Sequence, residues 1–184
     1  MQLVYPLDSF EYEQTEIKQM FLDDWDWIKN TQKYNHMGSD LLSEDLIEKN
    51  FPILTKNIRK LMHEDDVFTA RFFATRPHSC GDVHIDMRKE RTLVRDWSLN
   101  LPIENCDNTY HEWFDTHNDL HTESKYNSLF WRNYTAGTLI HSHELTGPAI
   151  MKVSIPHRIN NPLDTFRLIL GIRTESNSFN YPLV

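Results

Sequence analysis

Two cysteines, Cys80 and Cys106, are all that the 184 residues contain, and they form no Cys-x-x-Cys pair. Their scarcity argues against a disulfide framework or a zinc ribbon and reads most simply as reduced thiols. Basic residues are also few. There are 19 Lys and Arg against 27 Asp and Glu, a formal net charge of −8, and no basic cluster. A protein that tracks a phosphate backbone presents a dense positive surface, so no nucleic-acid partner is expected. No apolar run approaches the length that spans a bilayer. The opening Met1-Gln2-Leu3-Val4-Tyr5-Pro6 lacks both the basic start and the apolar core of a secretory leader. The expectation is a soluble, cytoplasmic protein without a membrane partner. There is neither an internal repeat nor a low-complexity segment.

What is present suffices for one core. With 39% hydrophobic and 12% aromatic residues, the chain is long enough for one well-packed domain over residues 1–184 and too short for two. Residues 1–65 read as helical support. Between Glu13 and Asn30, the residues Ile17, Met20, Phe21, Trp25 and Ile28 recur at helical spacing with acids between them. The tryptophans of the Asp23-Asp24-Trp25-Asp26-Trp27 cluster are assigned to the core. Ser43 is placed to cap a second helical stretch running toward Met62, with Pro52 breaking or kinking it. From about Asp66 the pattern changes to short extended segments separated by turn signals, as in an antiparallel sandwich or barrel. Strands are predicted over 67–75, 83–86, 97–103, 128–133, 138–141, 149–157 and 166–174. The stretch 104–127, rich in His, Asn and acids, reads as a long loop. Residues 176–184 form a tail that is either loose or packed through Phe179 and Tyr181.

Chemistry enters with His84 and Asp86. In an extended strand side chains alternate faces, so Val83-His84-Ile85-Asp86 puts His84 and Asp86 on one side and Val83 and Ile85 on the other. Two other His-x-Asp pairs occur, His63-Glu64-Asp65 and His117-Asn118-Asp119, but neither has apolar neighbours at strand alternation, and both read as solvated surface. Downstream, Met151-Lys152-Val153-Ser154-Ile155-Pro156-His157 places His157 in register with an apolar inward face. Two histidines and a carboxylate on one face of a metal leave the opposite positions open, an arrangement associated with Fe(II) oxygenases rather than closed structural zinc. Arg167 follows ten positions later, across the turn-rich Asn160-Asn161-Pro162-Leu163-Asp164. It sits on a strand, Phe166-Arg167-Leu168-Ile169-Leu170-Gly171-Ile172, whose even positions are uniformly apolar. A guanidinium pointing into the cavity matches a carboxylate bidentately and suits the far end of a dicarboxylic co-substrate.

With these residues in view, the chain resembles the 2-oxoglutarate/Fe(II)-dependent dioxygenase superfamily, including short members carried by bacteria and their phages. The resemblance spans roughly residues 66–174. It implies a mainly β fold with N-terminal helices: a double-stranded β-helix, a cupin-like jelly roll with iron in its mouth. It also implies Fe(II), 2-oxoglutarate and dioxygen as cofactor and co-substrates. His84, Asp86 and His157 match the family's metal triad, and Arg167 its co-substrate arginine. The run Gly147-Pro148-Ala149-Ile150-Met151 resembles the turn and strand leading to the distal histidine. One position departs from the family: where many members carry Ser or Thr two residues after the arginine, this chain has Ile169. Tyr134, Thr138, Ser98 and Asn100 are the candidates for the carboxylate's second partner, with Asn100 preferred.

The implied activity is hydroxylation of a small-molecule or peptidyl substrate, left open because the mouth loops, residues 76–81 and 104–127, would select it. Oligomeric state is open as well. Two other functions compete. One is a catalytically silent jelly roll serving as a binding or structural module, for example a phage-associated one. The other is a zinc or other metal enzyme using His141 and His143, which alternate onto one strand face without an evident third ligand.

Overall fold

The computed structural model describes residues 1–23, 36–39, 41–87, 94–116, 121–126, 129–135, 137–176 and 179–180. Among the described residues, three helices precede most of the sheet structure: α1 (Gln14–Asp23), α2 (Glu44–Asn50) and α3 (Pro52–Leu61). Ser43 caps α2 as expected, its hydroxyl accepting from the Leu46 amide at 3.3 Å. Pro52 starts α3 at a first-turn position, where its missing N–H costs nothing, so the two helices break at Phe51. The first turn of α3 is capped from a distance: the Glu13 carboxylate accepts from the Ile53 and Leu54 amides at 2.7 and 2.9 Å. Beyond Asp23, the helix expected over 13–30 lies outside the described residues, as do Trp25 and Ile28. No helix among the described residues is long and apolar enough to cross a membrane.

Among the described residues, fourteen strands run along the chain as β1 (Val4–Pro6), β2 (His36–Gly38), β3 (Leu42–Ser43), β4 (Phe68–Thr75), β5 (Ser79–Cys80), β6 (His84–Met87) and β7 (Trp97–Glu104), then β8 (Tyr110–Asp115), β9 (His121–Tyr126), β10 (Leu129–Tyr134), β11 (Thr138–Glu144), β12 (Ala149–Lys152), β13 (His157–Asn161) and β14 (Arg167–Thr174). One sheet runs β1-β12-β7-β14-β4-β2, with β3 also on β4. The other runs β11-β8-β13-β6-β10-β9, with β5 on β13. From β4 onward the chain repeatedly crosses between the sheets, and every pairing is antiparallel. This is the expected double-stranded β-helix, or jelly roll.

Alternation along β14 explains how the layers stack. Leu168, Leu170 and Ile172 point to the outer face of the first sheet and pack with Ile17, Phe21, Ile47, Leu54 and Ile58 of the helices. Phe21 meets Phe72 edge-on, with ring centroids 4.8 Å apart. The opposite face of the same strand looks into the barrel, where Ile169 joins Phe73, Trp113, Leu145, Ala149 and Met151. Gly171 is required on that inner face, because a Cβ there would lie 2.8 Å from the Phe73 ring.

Three expectations need correction. The single strand expected over 149–157 is two strands in different sheets. Its middle, residues 153–156, is where the chain crosses, and Pro156, lacking an N–H, suits that break. The strand expected over 138–141 extends to Glu144. The long loop expected over 104–127 contains β8 and β9, entered through a turn in which Asn105 and Asn108 adopt positive φ of 52° and 59°. In the tail, Phe179 is buried and the Asn180 side chain donates to the Met62 carbonyl at 2.7 Å, pinning it to the end of α3, while Tyr181 lies outside the described residues.

The helix-to-sheet layer yields a stability prediction. Leu170→Ala removes a fully buried side chain and should cost about 2–5 kcal/mol in urea unfolding. Leu139→Ala, at a position 50% exposed, should stay within about 0.5 kcal/mol. Equal effects would contradict this layering.

Candidate metal centre

His84 and Asp86 leave β6 on the same inward face, and β13 pairs with that strand through a register that sets His157 directly opposite His84. The two imidazoles lie with centroids 4.6 Å apart, and His84 Nε2 is 3.7 Å from Asp86 Oδ1. Taken one ligand atom each, His84, Asp86 and His157 converge within 4.8 Å of one another. Among the described residues they are the one group of three or more metal-ligating side chains so assembled. Among the described residues, His141 and His143, on β11, belong to no such group.

Each histidine is oriented by a backbone carbonyl. His84 Nδ1 lies 2.7 Å from the Asp82 oxygen and His157 Nδ1 lies 2.9 Å from the Ile155 oxygen. A carbonyl only accepts, so Nδ1 carries the proton in both rings and each Nε2 keeps a lone pair for a cation. For His157, burial, reinforced by His84, pushes the pKa down to about 4 against the pull of Asp86, so the ring is neutral at pH 7. Burial pushes Asp86 up, but the field of Arg173, followed by His157, His84 and Arg95, wins and holds it at about 2. A neutral His157 and an ionised Asp86 are protonation states that ligation of a divalent first-row metal requires.

Arg173 was not anticipated. It projects from β14 across the barrel and hydrogen-bonds Asp86 Oδ2, leaving Oδ1 turned toward His84. The signal was available, because Arg173 shares the odd-numbered face of β14 with Arg167.

Arg167 is where the strand reading put it, facing the interior, and only 1% exposed. All three of its guanidinium nitrogens are buried without a hydrogen-bond partner. Burial lowers its pKa, an effect the Cys106 thiol opposes. A buried cation with no partner is costly unless something anionic completes it.

Asn100 does not meet the role expected of it. It stands opposite Gly171 in the β7–β14 register, four residues along β14 from Arg167, about 13 Å at strand spacing. Its Oδ1 accepts from Ser98 Oγ at 3.5 Å. The register that fixes Gly171 beside it also keeps it from the Arg167 end.

His111 was missed altogether because it lay in the stretch read as loop. It is 4% exposed and sits between the Trp113 ring at 4.3 Å and the His157 ring at 4.7 Å, nearly parallel to both. Burial drives its pKa well down, and the Arg167 guanidinium adds to that.

No protein-family model matches the sequence, and no curated protein matches it. Solved structures similar to this one include Lactobacillus farciminis oxalate decarboxylase in a formate complex, at 9% identity and TM-score 0.36, covering 81% of this chain and 30% of that one. Hazelnut (Corylus avellana) vicilin aligns at 10% identity and TM-score 0.36, covering 79% and 29%. Bacillus subtilis oxalate decarboxylase at pH 4.6 aligns at 9% and 0.33, covering 72% and 24%. The chain thus spans roughly a quarter to a third of their length. Likeness at this level carries no argument about the site, which rests on its own geometry.

The buried neutral histidine predicts an acid-sensitive metal-free protein. His157 has a folded pKa of about 4, below an unfolded value of about 6.5. The unfolded state therefore binds more protons between those pH values, and stability falls as pH drops through that window. Asp86, held at about 2, adds a further loss below about pH 4. Urea midpoints at pH 7.5 and pH 5 check the sign: a higher midpoint at pH 5 would contradict the assigned protonation states.

Proposed function

We propose that the protein is a non-haem Fe(II)/2-oxoglutarate-dependent oxygenase that hydroxylates a small-molecule or peptidyl substrate. The observation that carries this reading is Arg167: a fully buried guanidinium with no partner on any nitrogen, in the same barrel as the convergent His84, Asp86 and His157. A metal triad alone fits many chemistries. A triad with an unmatched interior cation calls for a co-substrate that is anionic at its far end, and 2-oxoglutarate meets that demand.

In this reading His84 and His157 offer Nε2, Asp86 offers Oδ1, and Arg173 fixes the second Asp86 oxygen. Arg167 clamps the far carboxylate with its planar fork. Phe73, Met151 and Ile169 exclude water from the interior between the two ends. Iron, when bound, supplies oxidative decarboxylation of 2-oxoglutarate by dioxygen to succinate and carbon dioxide, coupled to insertion of the second oxygen atom into a substrate C–H bond. The chain's own part is positioning and electrostatics, and no side chain needs to serve as a general base.

The test is anaerobic titration with Fe(II), with and without 2-oxoglutarate, followed through the weak visible charge-transfer band of the chelate. The band should appear only with both. Its absence despite metal uptake would favour the silent binding module. His84→Ala or Asp86→Ala should lower metal affinity by roughly a hundredfold or more, beyond the effect typical of groups that merely orient ligands.

Arg167→Leu gives a separate prediction. It should keep iron and weaken 2-oxoglutarate by on the order of a hundredfold, because the far carboxylate would be buried without a partner. Arg167→Lys should recover only part, since an ammonium lacks the bidentate fork. Isothermal titration of the iron-loaded variants measures both, and unchanged affinity in Arg167→Leu would remove the main support for this function.

A further inference from the structure

Arg167 is not the only unmatched polar group inside the barrel. His111 Nε2 is also buried without a hydrogen-bond partner, and the ring's described contacts are its stacks on Trp113 and His157. Buried polar atoms of a folded protein are nearly always satisfied, so the unpartnered Arg167 and His111, which share this interior with a likewise unpartnered Arg173 Nε, ask for an explanation.

The strand registers say where His111 lies. Trp113 is paired with His157 on β13, and His111 with Ile159, one inward-facing row further along. The next inward residue of β13 is Asn161, whose amide donates to the Thr75 carbonyl at 3.1 Å. Thr75 in turn is the β4 partner of Arg167. His111 therefore occupies the step between the metal triad and the Arg167 end, with Trp113 and His157 fixing its ring plane.

Resting on the oxygenase reading above, we propose that His111 is the second partner of the co-substrate's far carboxylate, donating its Nε2–H to an oxygen that Arg167 does not saturate. A carboxylate offers about four acceptor sites and an Arg fork uses two, so one anion can partner both groups. A neutral imidazole has one N–H to give, and its remaining nitrogen has no need of a proton. The role fills the gap left by Ile169, whose side chain has no hydroxyl to donate. It also moves the second contact from the arginine's own strand to the opposite sheet. The carboxylate is then held across the barrel, a geometry that selects a ligand reaching from the triad to the Arg167 end.

The experiment is isothermal titration of metal-loaded protein, without oxygen, using 2-oxoglutarate and 2-oxobutyrate as probes. The second keeps the keto-acid head and lacks the far carboxylate. His111→Phe preserves the ring stack and should weaken 2-oxoglutarate by about ten- to a hundredfold while leaving 2-oxobutyrate and metal affinity unchanged. His111→Gln, which sets an amide N–H near the same place, should recover part of the loss. The proposal is overturned if His111→Phe binds 2-oxoglutarate as the wild type does, if both keto acids weaken alike, as a packing role predicts, or if the metal is lost, as a ligand role predicts. Binding of 2-oxoglutarate that depends on Arg167 but not on His111 would overturn this role alone. Failure of the wild type to bind 2-oxoglutarate would overturn the oxygenase reading with it.

Discussion

The two-faced character of β14 is the constraint on which the rest depends. One face of the strand is apolar from Leu168 to Ile172 and seals the helices onto the first sheet, and the other carries Arg167 and Arg173 into the barrel. A one-residue slip would exchange the faces, burying guanidinium groups among Leu and Phe and turning the core residues into the cavity. Pairing on both edges, with β4 and β7, prevents that slip. Stability of the helical layer and chemistry of the interior are thus set by the same register.

Two cations on an inward face need counter-charge. Arg173 finds it in Asp86, reaching across to the opposite sheet. That pairing holds the carboxylate ionised and reserves one of its oxygens, so the other is free to ligate. Arg167 has no such match, and a divalent metal bound by the triad would add further positive charge. Among the described interior groups, Arg167 and Arg173 outnumber Asp86, a local balance that would favour an anion inside a protein of net charge −8. The same electrostatics that hold Asp86 ionised would favour the dianionic co-substrate proposed for this interior.

Much of this was legible in the sequence because period-two alternation is a strong signal when one face is purely apolar. That held for His84 and Asp86 between Val83, Ile85 and Met87, and for Arg167 among Leu168, Leu170 and Ile172. Ser43 and Pro52 announced the helix boundaries through capping chemistry and the missing N–H. β8 was illegible for the converse reason. Its inward face is built from His111 and Trp113, and its outward face carries Glu112, which is itself buried beneath Arg158 and Asn160. With polar residues on both faces, hydropathy does not alternate, and the segment reads as loop. The crossing after β12 was hidden in a similar way, since Met151, Val153, Ile155 and His157 continue the alternation although the chain has changed sheets.

The segments that hydropathy misreads are the ones closest to the candidate chemistry, and there is a physical reason. A strand lining a site for a charged ligand must offer polar groups to the interior, and so loses the apolar stripe by which strands are recognised. What marks such a strand is unsatisfied hydrogen-bonding capacity, a property that exists only once the neighbours are in place. His111 is one more histidine among ten in the sequence. In the fold, it is an imidazole locked between two rings with a buried nitrogen and no partner. The role of His111 therefore depends on the barrel and not on the segment, whereas the triad and Arg167 could be argued from their segments taken together.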